Sequence, residues 1–239
     1  MSLQLQDRTL KALSLVLSYP TRELQGAMSE IGAVLASDTR ITAATRRSLR
    51  PLVETLSTSD LYALEEQFVL LFDRSRTLSL NLFEHVHGES RHLGGAMVSL
   101  IETYREGGFD PATSELPDHL PVLLEFLATR PTREARDTLA DAAHIFQALS
   151  ERLDRRESPY GAVFAVLLQL SGAKVNQEVV AGLLEEPDDD PTDLEALDQV
   201  WEQSEVVFAP DPNAGCPQVR DMLSRMDTPI NPEPQPAAE

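Results

Sequence analysis

Apolar residues recur at spacings of three and four along most of this 239-residue chain, and that period leaves room for little but amphipathic helices. Leu10, Leu13 and Leu17 share one face, and Pro20 closes that helix. Thr21 can cap the next, in which Leu24, Met28, Ile31 and Leu35 repeat. Leu49, Leu52, Val53 and Leu56 predict a third helix that Pro51 should delay or kink. Thr58 or Ser59 then introduces a strong stripe of Leu61, Leu64, Phe68, Leu71 and Phe72. Pro131 and Thr132 open one long helix carrying Ala135, Leu139, Ala142, Phe146, Leu149 and Leu153. SPYGAVFAVLLQL is apolar nearly all round up to Gly172 and reads as a buried core helix. KVNQEVVAGLL and TDLEALDQVWEQ, the latter opened by a capping box from Thr192 to Glu195, are weaker segments. Only LSLNLF alternates, and with no second alternating stretch to pair with it, a loop or helix entry is expected. The chain shows no solenoid repeat. The expected fold is all-α, a single-domain helical bundle over residues 1–184. An acidic turn and terminal helix at 185–209 should belong to the same domain, and 210–239 should form a flexible proline-rich tail with Val219, Met222 and Met226 in a short helix.

The stretch from Leu78 to Leu127 concentrates the chemistry, with four of the five histidines. Phe83, Val86, Leu93, Met97, Leu100, Ile101 and Tyr104 predict an apolar helix face about six turns long that enters the core, ended by Gly107 and Gly108. Glu84, His85, His87, Arg91 and His92 crowd beside it, where a groove with polar contacts can form. Asp118 is placed to cap a following helix with Pro121 in its first turn and Leu120, Leu123, Leu124 and Leu127 inward.

The formal net charge of -19 excludes a general phosphate binder, since a polyanion would be repelled. Fifteen acidic and two basic residues lie between Glu185 and Glu239, so the acidity is mainly C-terminal and reads as a solvated segment. The lone Cys216 excludes an internal disulfide and, in a flexible tail without an activating base, reads as an idle thiol. No stretch approaches eighteen apolar residues, and the N-terminus lacks a secretory signal, so a cytoplasmic protein without membrane insertion is expected. Phosphate-loop, GxSxG, HExxH and CxxC signatures are absent, so no catalytic residues are assigned. His85, Glu89 and His92 fall at i, i+4 and i+7, but without a fourth ligand they read as ordinary hydrogen-bonding side chains rather than a metal site. His119 beside Asp118 lacks a nucleophile, and His144 reads as a satisfied or solvent-facing histidine.

DRSRTLSLNLFEHVHGESRHLGGAMVSLIETYREGGF followed by ELPDHLPVLLEFLA resembles the chaperones for molybdenum cofactor insertion into respiratory nitrate reductase, the NarJ type. LVLSYPT and SPYGAVFAVL resemble phrases of that family in the same order, so the resemblance spans roughly residues 10 to 170. It implies an all-helical bundle of the redox-enzyme maturation class, not an enzyme. The implied task is to bind the N-terminal amphipathic segment of the catalytic subunit and keep it off the membrane while the cofactor enters. The chaperone itself would hold no stable cofactor. The resemblance carries a PDH phrase onto Pro117, Asp118 and His119, and a second phrase onto Leu82 to Gly88. The peptide groove is accordingly expected between the Phe83–His92 segment and the Asp118–Glu125 helix start, lined by Phe83, Glu84, His85, His87, Arg91, His92, Tyr104, Asp118, His119, Leu124 and Glu125. Glu84, Asp118 and Glu125 should favour a basic peptide. A chaperone for another molybdoenzyme, or a metal enzyme built on His85, His87, His92 and His119, are the alternatives.

Overall fold

Five helices of the bundle begin where a short polar side chain satisfies free amides of the first turn. The computed structural model describes residues 6–87, 92–185 and 187, without the side chains of His87, His92 and Leu93. The chain divides into two units, 1–193 and 194–239, and the described residues all lie in the first. Readings made for the acidic turn, the capping box from Thr192, Cys216 and the proline-rich tail fall outside them.

Eleven α-helices follow one another among the described residues: α1 (Arg8–Val16), α2 (Arg22–Ser37), α3 (Ala43–Thr58), α4 (Leu61–Phe68), α5 (Glu84–His87), α6 (His92–Glu106), α7 (Leu120–Leu127), α8 (Thr132–Asp141), α9 (Ala143–Arg155), α10 (Gly161–Ser171) and α11 (Gln177–Leu183). No strand occurs among them. Asp7 accepts from the amides of Thr9 and Leu10, Thr21 from Leu24, Thr42 from Thr45, Asp60 from Ala63 and Asn176 from Glu178, so five helices carry a side-chain cap. A π-helical turn, Val69–Asp73, extends α4 and puts Leu71 and Phe72 into the core.

The apolar α10 is central, as its composition demands, and packs against α9, α8 and α3. Val163, Phe164, Val166 and Leu167 on it are fully buried. Gly172, at φ +60, ends it in the left-handed conformation glycine tolerates. α1 lies along α7, where the amides of Gln6 and Asp7 both reach the carbonyl of Ala128 and the Ser14 hydroxyl reaches that of Pro121. Arg40 joins the ends of α1 and α2: its guanidinium meets Asp7 at 2.6 and 3.0 Å and also holds Asp38.

Several sequence expectations are corrected. α3 starts well before Pro51 and runs through it, because Pro51 is exposed and the carbonyl it leaves free can meet water. Asp60, not Thr58 or Ser59, caps α4. The long helix expected from Pro131 to Leu153 is two, α8 and α9, divided at Ala142. Ala142 and Ala143 are both buried, so the apolar repeat continues across a break it cannot register. Of the expected six-turn apolar face of 83–104, α5 and α6 carry the described parts, and Tyr104 alone is buried among those residues whose side chains are described. Met97, Leu100 and Ile101 are half-exposed, and Val86 is 60% exposed. LSLNLF is a loop and helix entry, as expected, but it also makes one isolated antiparallel bridge, Asn81 to His119, with the Leu120 amide on the Leu80 carbonyl at 2.8 Å. Leu78, Leu80 and Leu82 are all buried in the core.

Candidate peptide groove

Pro117, Asp118 and His119 lie where the chain turns into α7, and three contacts fix them. The Tyr104 hydroxyl donates to the Pro117 carbonyl at 2.6 Å. The Leu82 amide donates to the Asp118 carbonyl, and the Phe83 amide donates to the Asp118 carboxylate at 2.9 Å. Asp118 therefore does not cap α7, which has no side-chain cap; it holds the entry to α5 instead. Its side chain is fully buried and its second oxygen has no hydrogen-bond partner. Burial pushes the carboxyl above its usual range, the nearby Glu84 charge adds to that, and the Phe83 amide opposes it. The phenol of Tyr104 is raised by burial as well, and its ring packs against Phe109 and Phe126.

His119 turns the other way, into an open groove of about 700 Å³. Its walls come from four places: Ser14, Ser18 and Tyr19 at the end of α1; Phe68 and Asp73 at the end of α4; the 109–115 loop; and His119, Pro121, Val122 and Glu125 on α7. Tyr19 is 46% exposed and meets the Phe68 ring edge-on at 5.7 Å. The imidazole of His119 has a buried Nδ1 without a hydrogen-bond partner. Burial lowers its pKa against the pull of Glu115, Asp118 and Asp73, which favours the neutral ring. Such a concavity, aromatic and aliphatic with a few carboxylates at its edge, has the chemistry to receive the apolar face of a peptide helix.

Of the residues expected to line a groove, the structure brings His119 and Glu125 to this one. Leu124 and Tyr104 are corrected to core positions, because the apolar seams around α7 and the Phe109–Phe126 cluster bury them completely. Asp118 is corrected to a buried latch. Phe83, Glu84 and His85 are not on the groove walls; the Asn81 side chain donates to Glu84 at 3.2 Å, and His85 Nε2 lies 2.8 Å from the Ser79 carbonyl. Arg91 and Glu89 lie outside the described residues, and His87 and His92 are placed only as helix positions. Tyr19, Phe68, Asp73, Phe109 and Glu115 were not foreseen, because nothing local distinguishes them. Among the described residues no three His, Cys, Asp or Glu side chains stand as a metal site. His144 accepts from the Asn176 amide, as a satisfied histidine would.

Comparison with known proteins follows the same direction. The family model described as nitrate reductase delta subunit matches residues 38–166. An Escherichia coli K12 protein named nitrate reductase molybdenum cofactor assembly chaperone NarJ is 40% identical over 205 residues, 85% of this chain and 86% of its own length. A second from that strain, named probable nitrate reductase molybdenum cofactor assembly chaperone NarW, is 36% identical over 207 residues, 87% and 86% of the two chains. A Bacillus subtilis 168 protein, named probable assembly chaperone NarJ, is 32% identical over 162 residues, 67% of this chain and 86% of its own.

Proposed function

Because the chain belongs to the nitrate reductase delta subunit family, we propose that it is an assembly chaperone for a respiratory nitrate reductase, holding the catalytic subunit's N-terminal segment in the groove beside His119 until the molybdenum cofactor is in place. The observation that supports the site is the groove itself, where Tyr19, Phe68, Phe109 and Val122 converge from separate elements onto one open concavity. A helix laid there buries its apolar anchors at about 2 kcal/mol each. The latch of Asp118 on the Phe83 amide serves the site indirectly, by fixing the turn that carries His119.

The relatives are named as chaperones rather than enzymes, and this chain assists a reaction in its client without performing one. The molybdenum cofactor belongs to the client, and the chaperone's part is to hold the client, in the cytoplasm and ahead of membrane attachment. None of the described helices is long and apolar enough to cross a membrane. The test is the molybdenum content per catalytic subunit purified from cells with and without this chain. A strong fall without it is expected; equal content would refute the proposal.

A further inference from the structure

The groove carries more negative charge than apolar recognition requires: Asp73, Asp110, Glu115 and Glu125 all stand on its walls. Glu125 already holds a cation, since the Lys11 ammonium lies 2.5 Å from its carboxylate across the seam of α1 and α7. A carboxylate of this wall thus binds an ammonium in the structure itself. Asp73 and Glu115 have no such partner; no ion pair reaches either among the described residues. Both line the same groove, and burial, followed by the charge of Glu115, holds the Asp73 carboxyl above its usual range. Burial lowers the pKa of His119 beside them, which weakens it as a counter-charge for the pair.

We infer that Asp73 and Glu115, next to His119 at the groove, form a socket for one Lys or Arg side chain of the peptide helix that the groove receives. This rests on the groove reading above and deepens it: the apolar walls supply affinity, and the socket fixes the register and direction of the bound segment. The occupant is therefore an amphipathic helix with a basic residue at the edge of its apolar face. Lys11 and Glu125 form the neighbouring position, already filled from within the chain.

The test is titration of the full chain with a synthetic peptide of the catalytic subunit's N-terminal segment, and with versions in which each Lys or Arg is replaced by Met. Wild type, Asp73→Asn, Glu115→Gln and Tyr19→Ala are compared at low salt, with folding checked by circular dichroism. The socket requires Asp73→Asn and Glu115→Gln to weaken the native peptide about tenfold, and this loss to vanish for one particular Lys or Arg→Met peptide. Equal binding by both carboxylate variants while Tyr19→Ala weakens it overturns the socket and leaves the groove standing. A loss that persists whichever basic residue is replaced also overturns the socket. Unchanged binding by all three variants removes the groove and the socket together.

Discussion

Replacing Asp118 separates its role as a buried latch from the helix-capping role its sequence position suggests. One carboxylate oxygen accepts the Phe83 amide at 2.9 Å, and the other is buried without a partner. Asp118→Ala removes the acceptor and leaves the Phe83 amide unsatisfied, at a cost of about 2 kcal/mol. For a chain of this size that lowers Tm by about 4–8 °C. Asp118→Asn keeps an oxygen for the amide and discards a charge that burial disfavours, so its loss stays under about 1 kcal/mol, limited by placing an amide group where no partner stands. The pH dependence carries a definite sign. A carboxyl whose folded pKa is raised contributes stability that is fully present below the unfolded value near 3.9 and is lost as pH rises through the folded value. Asp118→Asn should therefore gain on wild type as pH rises from about 4 towards neutrality. Thermal melts followed by circular dichroism across that range measure both effects. An Ala variant within about 1 °C of wild type, or an Asn variant as unstable as Ala, would refute the latch.

Two further outcomes follow from the frame. Arg40, by hydrogen bonds first, holds the Asp38 carboxyl down at about 2 against its burial, so this contribution is present above about 4 and lost as pH falls from 4 to 2. A fall from 3.8 to about 2 would be roughly 2.5 kcal/mol, but Arg40 is 40% exposed and solvent screening reduces this to about 1. Urea titrations should thus show Arg40→Met less stable than wild type at pH 6, with the gap closing below pH 4; a constant gap would contradict the assignment. Gly172→Ala forces a left-handed residue whose Cβ meets the Arg136 guanidinium, displacing that group from the Ser171 carbonyl, and should cost about 1–2 kcal/mol by the same measurement. No loss there would show that α10 can end another way.

The helices were legible because their apolar spacing is local, and so were a few termini: Thr21 and Gly172 stand where the sequence places them, whereas Asp7, Thr42, Asp60 and Asn176 were not foreseen as caps. Asp118 was legible as a position but not in its role. A carboxylate before Leu120 and Pro121 looks like a cap, whereas its partner is an amide 35 residues upstream. The 83–104 face shows the limit of periodicity, which records that a face is apolar but not whether anything covers it; Tyr104 is buried while Val98 is 55% exposed. Within the groove, His119 and Glu125 could be read because they belong to one short segment. Tyr19, Phe68 and Asp73 reach it only through tertiary packing, α1 along α7 and the end of α4 at the same groove, which no local pattern encodes.

The most direct test of the groove is calorimetric titration of the catalytic subunit's N-terminal peptide against wild type, Tyr19→Ala and Glu84→Ala. Tyr19 is on the groove wall and exposed enough to be truncated without loss of fold, while Glu84 stands off the groove beside Asn81. Tyr19→Ala should weaken the peptide about tenfold, as loss of an aromatic anchor does, with Glu84→Ala unchanged. Weakened binding by Glu84→Ala with full affinity in Tyr19→Ala would place the client on the α5 face and contradict the account.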